Sequence, residues 1–172
     1  MSLSKSFRPG IAVAATLMAL IAASPACAIC SAQGLELMRN LAGSWRGKGA
    51  VTPIGGAPEF IACRISYSMG GEDIIQQVIA CAGSDYKIEA SSRVTCQGNR
   101  LEGLFEENIA HSTGLVQGSI GGNYLNINAE SPIFKGNFNV TFQSASSHLV
   151  AITQFDSARG RQVPVASIQL KR

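Results

Sequence analysis

Short runs of alternating apolar and polar residues fill the chain from Ser44 onward. Phe134, Gly136, Phe138, Val140 and Phe142 fall on one side of such a run, and Lys135, Asn137, Asn139, Thr141 and Gln143 on the other. Leu125, Ile127 and Ala129 alternate with Asn126, Asn128 and Glu130, and Tyr86, Ile88, Ala90 and Ser92 with Lys87, Glu89, Ser91 and Arg93. A period of two is the signature of a strand with one buried and one wet face. The pattern predicts strands over 44–52, 59–69, 73–82, 86–96, 100–108, 113–120, 124–130, 134–144, 148–155 and 162–171. Gly70-Gly71-Glu72, Gly83-Ser84-Asp85, Gln97-Gly98-Asn99, Gly121-Gly122-Asn123, the serines of 144–147 and the stretch 157–160 supply the turns. Hairpin-length connections between so many strands imply an all-β, antiparallel, up-and-down sheet of about 8–10 strands, and closing it into a barrel removes its edges. The helical exception is 32–41. There Leu35, Met38 and Leu41 recur every three residues beside Leu37, and Gly43 ends the run. That short N-terminal helix is expected to cap one end of the sheet.

The alternation also fixes an expected interior. Leu125, Ile127, Phe134, Phe138 and Phe142, joined by Leu149 and Ala151, would line an apolar lumen, with Gly118, Ala90, Ala129 and Gly136 leaving room. A barrel of about ten strands can enclose one apolar ligand.

The first residues follow a different logic. Lys5 and Arg8 precede an apolar run from Ile11 to Ala23, and Ala26-Cys27-Ala28 places small residues at −3 and −1 of a cleavage point before Ile29. This is the pattern of a secretory signal peptide over 1–28. The run is too short to span a bilayer, and Ser24 stands where a lipidated Cys27 would want an aliphatic residue. Residues 29–172 then form one domain, periplasmic or secreted. Lys5 and Arg8 are two of the 14 cations, and none of the 11 acids precede Ile29, so the remainder carries only +1. With a near-neutral charge and no Lys/Arg run, no polyanion is expected as a partner, nucleic acid included. Without Cys27, four cysteines remain: Cys30, Cys63, Cys81 and Cys96. An even number in an exported domain implies two disulfides with three possible pairings. No CxxC or His-Cys cluster suggests a metal.

Catalytic signatures are missing. There is no HExxH, GxSxG, phosphate loop or dinucleotide fingerprint. Glu106 and Glu107 are adjacent, so they point to opposite faces, while Glu102 and Glu106 share what reads as a solvated wall. His111 and His148 read as turn or strand-edge residues. The chain is therefore expected not to be an enzyme and to need no cofactor.

Leu41-Ala42-Gly43-Ser44-Trp45-Arg46-Gly47-Lys48-Gly49 carries a Gly-x-Trp that resembles the opening of calycin-type barrels: lipocalins, fatty-acid-binding proteins and nitrobindin-like proteins. The resemblance implies that Gly43 lets the first strand bend, that Trp45 plugs the barrel floor, and that an arginine near the last strand covers it, Arg172 first and Arg161 second. Nitrobindin-like proteins hold haem through a histidine near the C-terminal strand. Residues 163–170 contain none, so haem is not carried over. Trp45 with Gly47 and Gly49, Cys63-Arg64, Tyr67, Gln76-Gln77, Cys81-Ala82 and Ser84-Asp85-Tyr86-Lys87 resemble more closely a family of small exported alphaproteobacterial proteins, which brings no activity with it. That resemblance pairs Cys63 with Cys81. Folding the hairpin about residue 72 sets the same two face to face, and Cys30–Cys96 follows by elimination. The leading functional expectation is a barrel of the cell envelope that binds a small hydrophobic ligand. The alternative is an interaction or structural module, such as a hydrolase inhibitor or envelope-maintenance factor, acting through the loops 53–58 and 157–161.

Overall fold

A computed structural model describes residues 29–85 and 87–172; the signal-peptide reading and Cys27 lie outside the described residues. The element order is α1 (Ala32–Leu41), β1 (Gly43–Val51), β2 (Glu59–Met69), β3 (Ile74–Ala82), β4 (Lys87–Gln97), β5 (Arg100–Glu107), β6 (Ser112–Gly121), β7 (Tyr124–Glu130), β8 (Lys135–Ser144), β9 (Ser147–Asp156) and β10 (Arg161–Lys171). Each strand pairs antiparallel with its sequence neighbours, and β1 pairs with β10, which closes a ten-stranded up-and-down barrel. Closure satisfies the edges that an open sheet would leave unpaired. Two register shifts interrupt the ladders, at Phe142/Ser144 in β8 and Pro164/Ala166 in β10.

The two ends differ. One carries the turns after β2, β4, β6 and β8, together with α1. The other carries the longer loops after β1, β3, β5, β7 and β9. At the first end the interior is filled by side chains, including Trp45, Cys96, Leu101, Ile120, Leu125, Val140 and Leu170, all buried. Leu37, Met38 and Leu41 of α1 complete this core. The Ser31 hydroxyl caps the helix by accepting from the Gly34 N–H at 3.0 Å. Gly34 lets the helix lie close: a Cβ there would come within 2.7 Å of Cys30 Sγ and 3.2 Å of Ile120.

The disulfides are Cys30–Cys96 and Cys63–Cys81, with S–S distances of 2.01 and 2.07 Å. Cys63 and Cys81 are direct partners in the β2–β3 ladder. Cys30 bridges to Gly98 in the β4–β5 turn, where Ser31 N donates to Gly98 O at 2.7 Å and Gly98 N to Ile29 O at 3.1 Å. The leader into α1 is thus tied to the wall by both covalent and backbone bonds.

Candidate functional site

The floor is built where β1 leaves α1. Gly43 has φ of +133°, a conformation that side chains disfavour, and it turns the chain from helix into strand. Trp45 is fully buried, and its Nε1–H donates to Leu41 O at 2.8 Å. Arg172 lies over the indole, its guanidinium carbon 4.5 Å from the ring centroid. The same guanidinium donates to Ala42 O at 2.8 Å and to Asn40 O. Helix C-termini leave carbonyls without intrahelical partners. Here the carbonyls of Asn40, Leu41 and Ala42 are taken by Trp45 and Arg172, and the positive charge meets the negative end of the helix dipole. The structure gives this position to Arg172, whereas Arg161 begins β10 at the opposite end.

His148 corrects the reading of that residue as a turn or strand-edge position. It is fully buried in β9, its ring centroid 4.3 Å from Trp45, 5.5 Å from Phe142 and 6.4 Å from Tyr67. Among the described residues, neither ring nitrogen has a hydrogen-bond partner. Burial, and secondarily the charge of Arg172, lowers its pKa from 6.5 to about 4, so the ring is neutral at physiological pH. Beside it, β1 approaches β10 closely: a Cβ on Gly47 would stand 1.9 Å from Gln169 O. His111, by contrast, is exposed in the β5–β6 turn.

With His148 inward, Val150 and Ile152 also face the interior, and Leu149 and Ala151 face outward. These two do not line the lumen. A one-residue change of phase exchanges the faces of a strand, and β9 is apolar on both. Of the five residues expected to surround a ligand, Leu125 is buried in the filled half, and Phe142 packs against His148. Ile127, Phe134 and Phe138 lie toward the longer loops and are half-buried, with the two phenyl centroids 5.9 Å apart.

Other inward-facing residues of this half are likewise only half-buried: Ile79, Ile88, Phe105 and Ile152. Inward residues nearer the loops, among them Val51, Ile61, Cys81, Ala129 and Val163, are buried, so this half is partly packed and less completely filled than the floor. A polar strip not anticipated from the sequence rises along the inner wall from the filled floor, where Tyr67 is buried, to the half-buried Gln77 and Ser92. Ser92 Oγ donates to Gln77 Oε1 at 3.2 Å, and Gln77 Nε2 donates to Tyr67 Oη at 3.0 Å. Tyr67, Gln77 and Ser92 are successive ladder partners on β2, β3 and β4. The signal was available: Gln77 alternates with Ile75 and Ile79, which places a polar side chain on an inward face. Burial pushes the Tyr67 pKa up to about 12, against the lowering effect of Gln77, so its hydroxyl keeps its proton. The arrangement can hold an apolar body and offer it a hydroxyl donor.

No family model matches the chain, and no curated protein does. Among solved structures it is similar to Rv2717c from M. tuberculosis, with 11% identity and a TM-score of 0.65 over 80% of this chain and 96% of that one. It is also similar to the S-type phycobiliprotein lyase CPES from Guillardia theta, with 12% identity and a TM-score of 0.59 over 79% of this chain and 89% of the other. At such identities the likeness concerns the fold. The molecule shares with them a closed antiparallel up-and-down barrel.

Proposed function

We propose that this barrel is an extracytoplasmic binding protein. It holds one small, largely apolar molecule in its loop-end half and does not transform it. The observation that carries the reading is the ring of half-buried inward apolar residues around the Tyr67–Gln77–Ser92 strip. Binding pockets of this kind pair apolar walls with a few fixed polar groups. The ligand class is a compact hydrophobic molecule with one hydrogen-bond acceptor, placed to receive the Tyr67 hydroxyl. The reading of a role without turnover rests on the sequence, which carries no HExxH, GxSxG, phosphate loop or dinucleotide fingerprint. A location outside the cytoplasm, in the cell envelope or beyond it, is supported by the two disulfides and by the signal-peptide pattern of 1–28.

Native mass spectrometry of protein recovered from the extracytoplasmic fraction tests both parts. The expected species starts at Ile29, carries two disulfides and retains a small molecule. Titration with an environment-sensitive apolar dye then tests the place. Ala90 faces inward and is half-buried, so Ala90→Trp fills this half of the barrel and is expected to weaken dye binding by about tenfold or more, the order expected for filling an apolar pocket. Equal dye binding by the folded variant would place the ligand elsewhere.

A further inference from the structure

The outer wall opposite the lumen strip carries a second feature. Ladder register sets Lys171 beside Arg46 and Arg46 beside Arg64, three cations in a row across β10, β1 and β2. One step toward the loop end, Lys48 faces Ala62, Ala62 faces Ala82, and Ala82 faces Lys87. The small side chains of Ala62, Ala80 and Ala82 leave a groove of about 660 Å3 between these cations. All five cations are exposed. Among the described residues the ion pairs are Arg100–Glu102, Lys135–Glu130 and Arg159–Asp156, so none of the five is neutralised by one. Glu89 is the carboxylate of the groove lining. Glu59, at the groove's loop-side edge, accepts from Ser84 Oγ and the Asp85 N–H. Like charges directly opposed on a sheet destabilise it. A chain whose residues 29–172 carry only +1 has therefore concentrated its positive charge on one wall. At the loop-side edge of that wall stand Phe60, 87% exposed on the same face of β2 as Ala62, and Ile54 in the β1–β2 loop, 43% exposed.

We propose that this corner is a docking surface for an anionic phospholipid bilayer: the five cations meet headgroup phosphates while Phe60 and Ile54 enter the interface. Clustered Lys and Arg gain affinity from the negative potential of such a surface, and an aromatic side chain anchors at headgroup depth. The charge selects anionic over neutral lipid, and the exposed ring selects a membrane over a free anion. The corner borders the mouth of the barrel, although the inference stands whether or not the lumen holds a ligand.

The test is co-sedimentation of the purified, disulfide-bonded protein with phosphatidylcholine vesicles, with and without phosphatidylglycerol. Binding is expected only with the anionic lipid and to weaken as salt rises. R46E/R64E is expected to lower the partition coefficient by at least about tenfold. Phe60→Ser is expected to weaken binding at a salt concentration where the wild type still sediments. If the charge reversal prevents folding, K48Q/K171Q is read in the same way with a smaller loss. Absent binding, equal binding to neutral vesicles, or variants that sediment like the wild type would overturn the proposal. Full competition by inorganic phosphate would overturn it too, since the groove would then be a site for a free anion.

Discussion

His148 is an imidazole with no hydrogen-bond partner among the described residues, set against three aromatic rings, and this makes it sensitive to acid. In the unfolded chain the ring gains a proton near pH 6.5; in the barrel it stays neutral down to about 4. The native state therefore binds fewer protons across that window. The stability contributed by the neutral ring is complete above pH 6.5 and declines as pH falls through 4, by up to about 3 kcal/mol. Denaturant midpoints measured at both ends of the window should show this loss in the wild type and a smaller one in His148→Phe. An identical acid loss in the variant would mean that other groups carry it. Arg172 offers an independent reading at the same place. Arg172→Ala removes two bonds to the helix carbonyls and the cover of the indole, at an expected cost of about 1–2 kcal/mol. Trp45 is the chain's single tryptophan, so its fluorescence should shift to the red in that variant.

At the level of elements, the two disulfides hold different things. Cys63–Cys81 joins direct partners of one hairpin, 18 residues apart, whereas Cys30–Cys96 ties the leader of α1 to the end of β4 across 66 residues. Chain entropy assigns them about 3 and 4 kcal/mol. Replacing both members of each pair with serine should lower stability in that order. Only C30S/C96S should also expose Trp45 to a soluble quencher, because α1 covers the floor. Comparable quenching in C63S/C81S would show that the helix is held mainly by its own packing. These elements were largely legible in the sequence. Clean alternation in β7 and β8 marked both the strand and its inner face, and turn residues placed most boundaries within a residue or two. Legibility ended in β9. There Leu149 and Ala151 compete with Val150 and Ile152, and a polar His148 at the head of the strand pointed to the wrong phase. Phe142 is the hairpin partner of His148, but Trp45 and Tyr67 reach it from β1 and β2, and no local pattern records that. The Tyr67–Gln77–Ser92 strip was missed for the same reason: its members lie on three strands and meet only through register.

For the molecule as a whole, closure depends on β1 meeting β10, the first strand and the last. Every other ladder is a local hairpin, but this one spans the chain, and forming it requires nearly all the others to be in place. Barrels with such long-range pairing fold slowly, on the order of milliseconds to seconds. Removing residues 161–172 would unpair one edge of β1 and one of β9 and withdraw Leu170 and Arg172 from the floor. The expected product loses near-ultraviolet dichroism and self-associates through its exposed edges, as size-exclusion chromatography would show. A truncated chain that stays monomeric with native dichroism would mean that the sheet tolerates being open.

Ile29 is bonded to the β4–β5 turn, and Arg172 caps the helix beside it, so the first and last described residues both lie on the plugged side of the barrel. Anything joined to either end hangs behind the molecule. A reporter or an immobilising tether attached there would leave the opening, and the corner bearing Phe60, turned away from the support and free to meet whatever they bind.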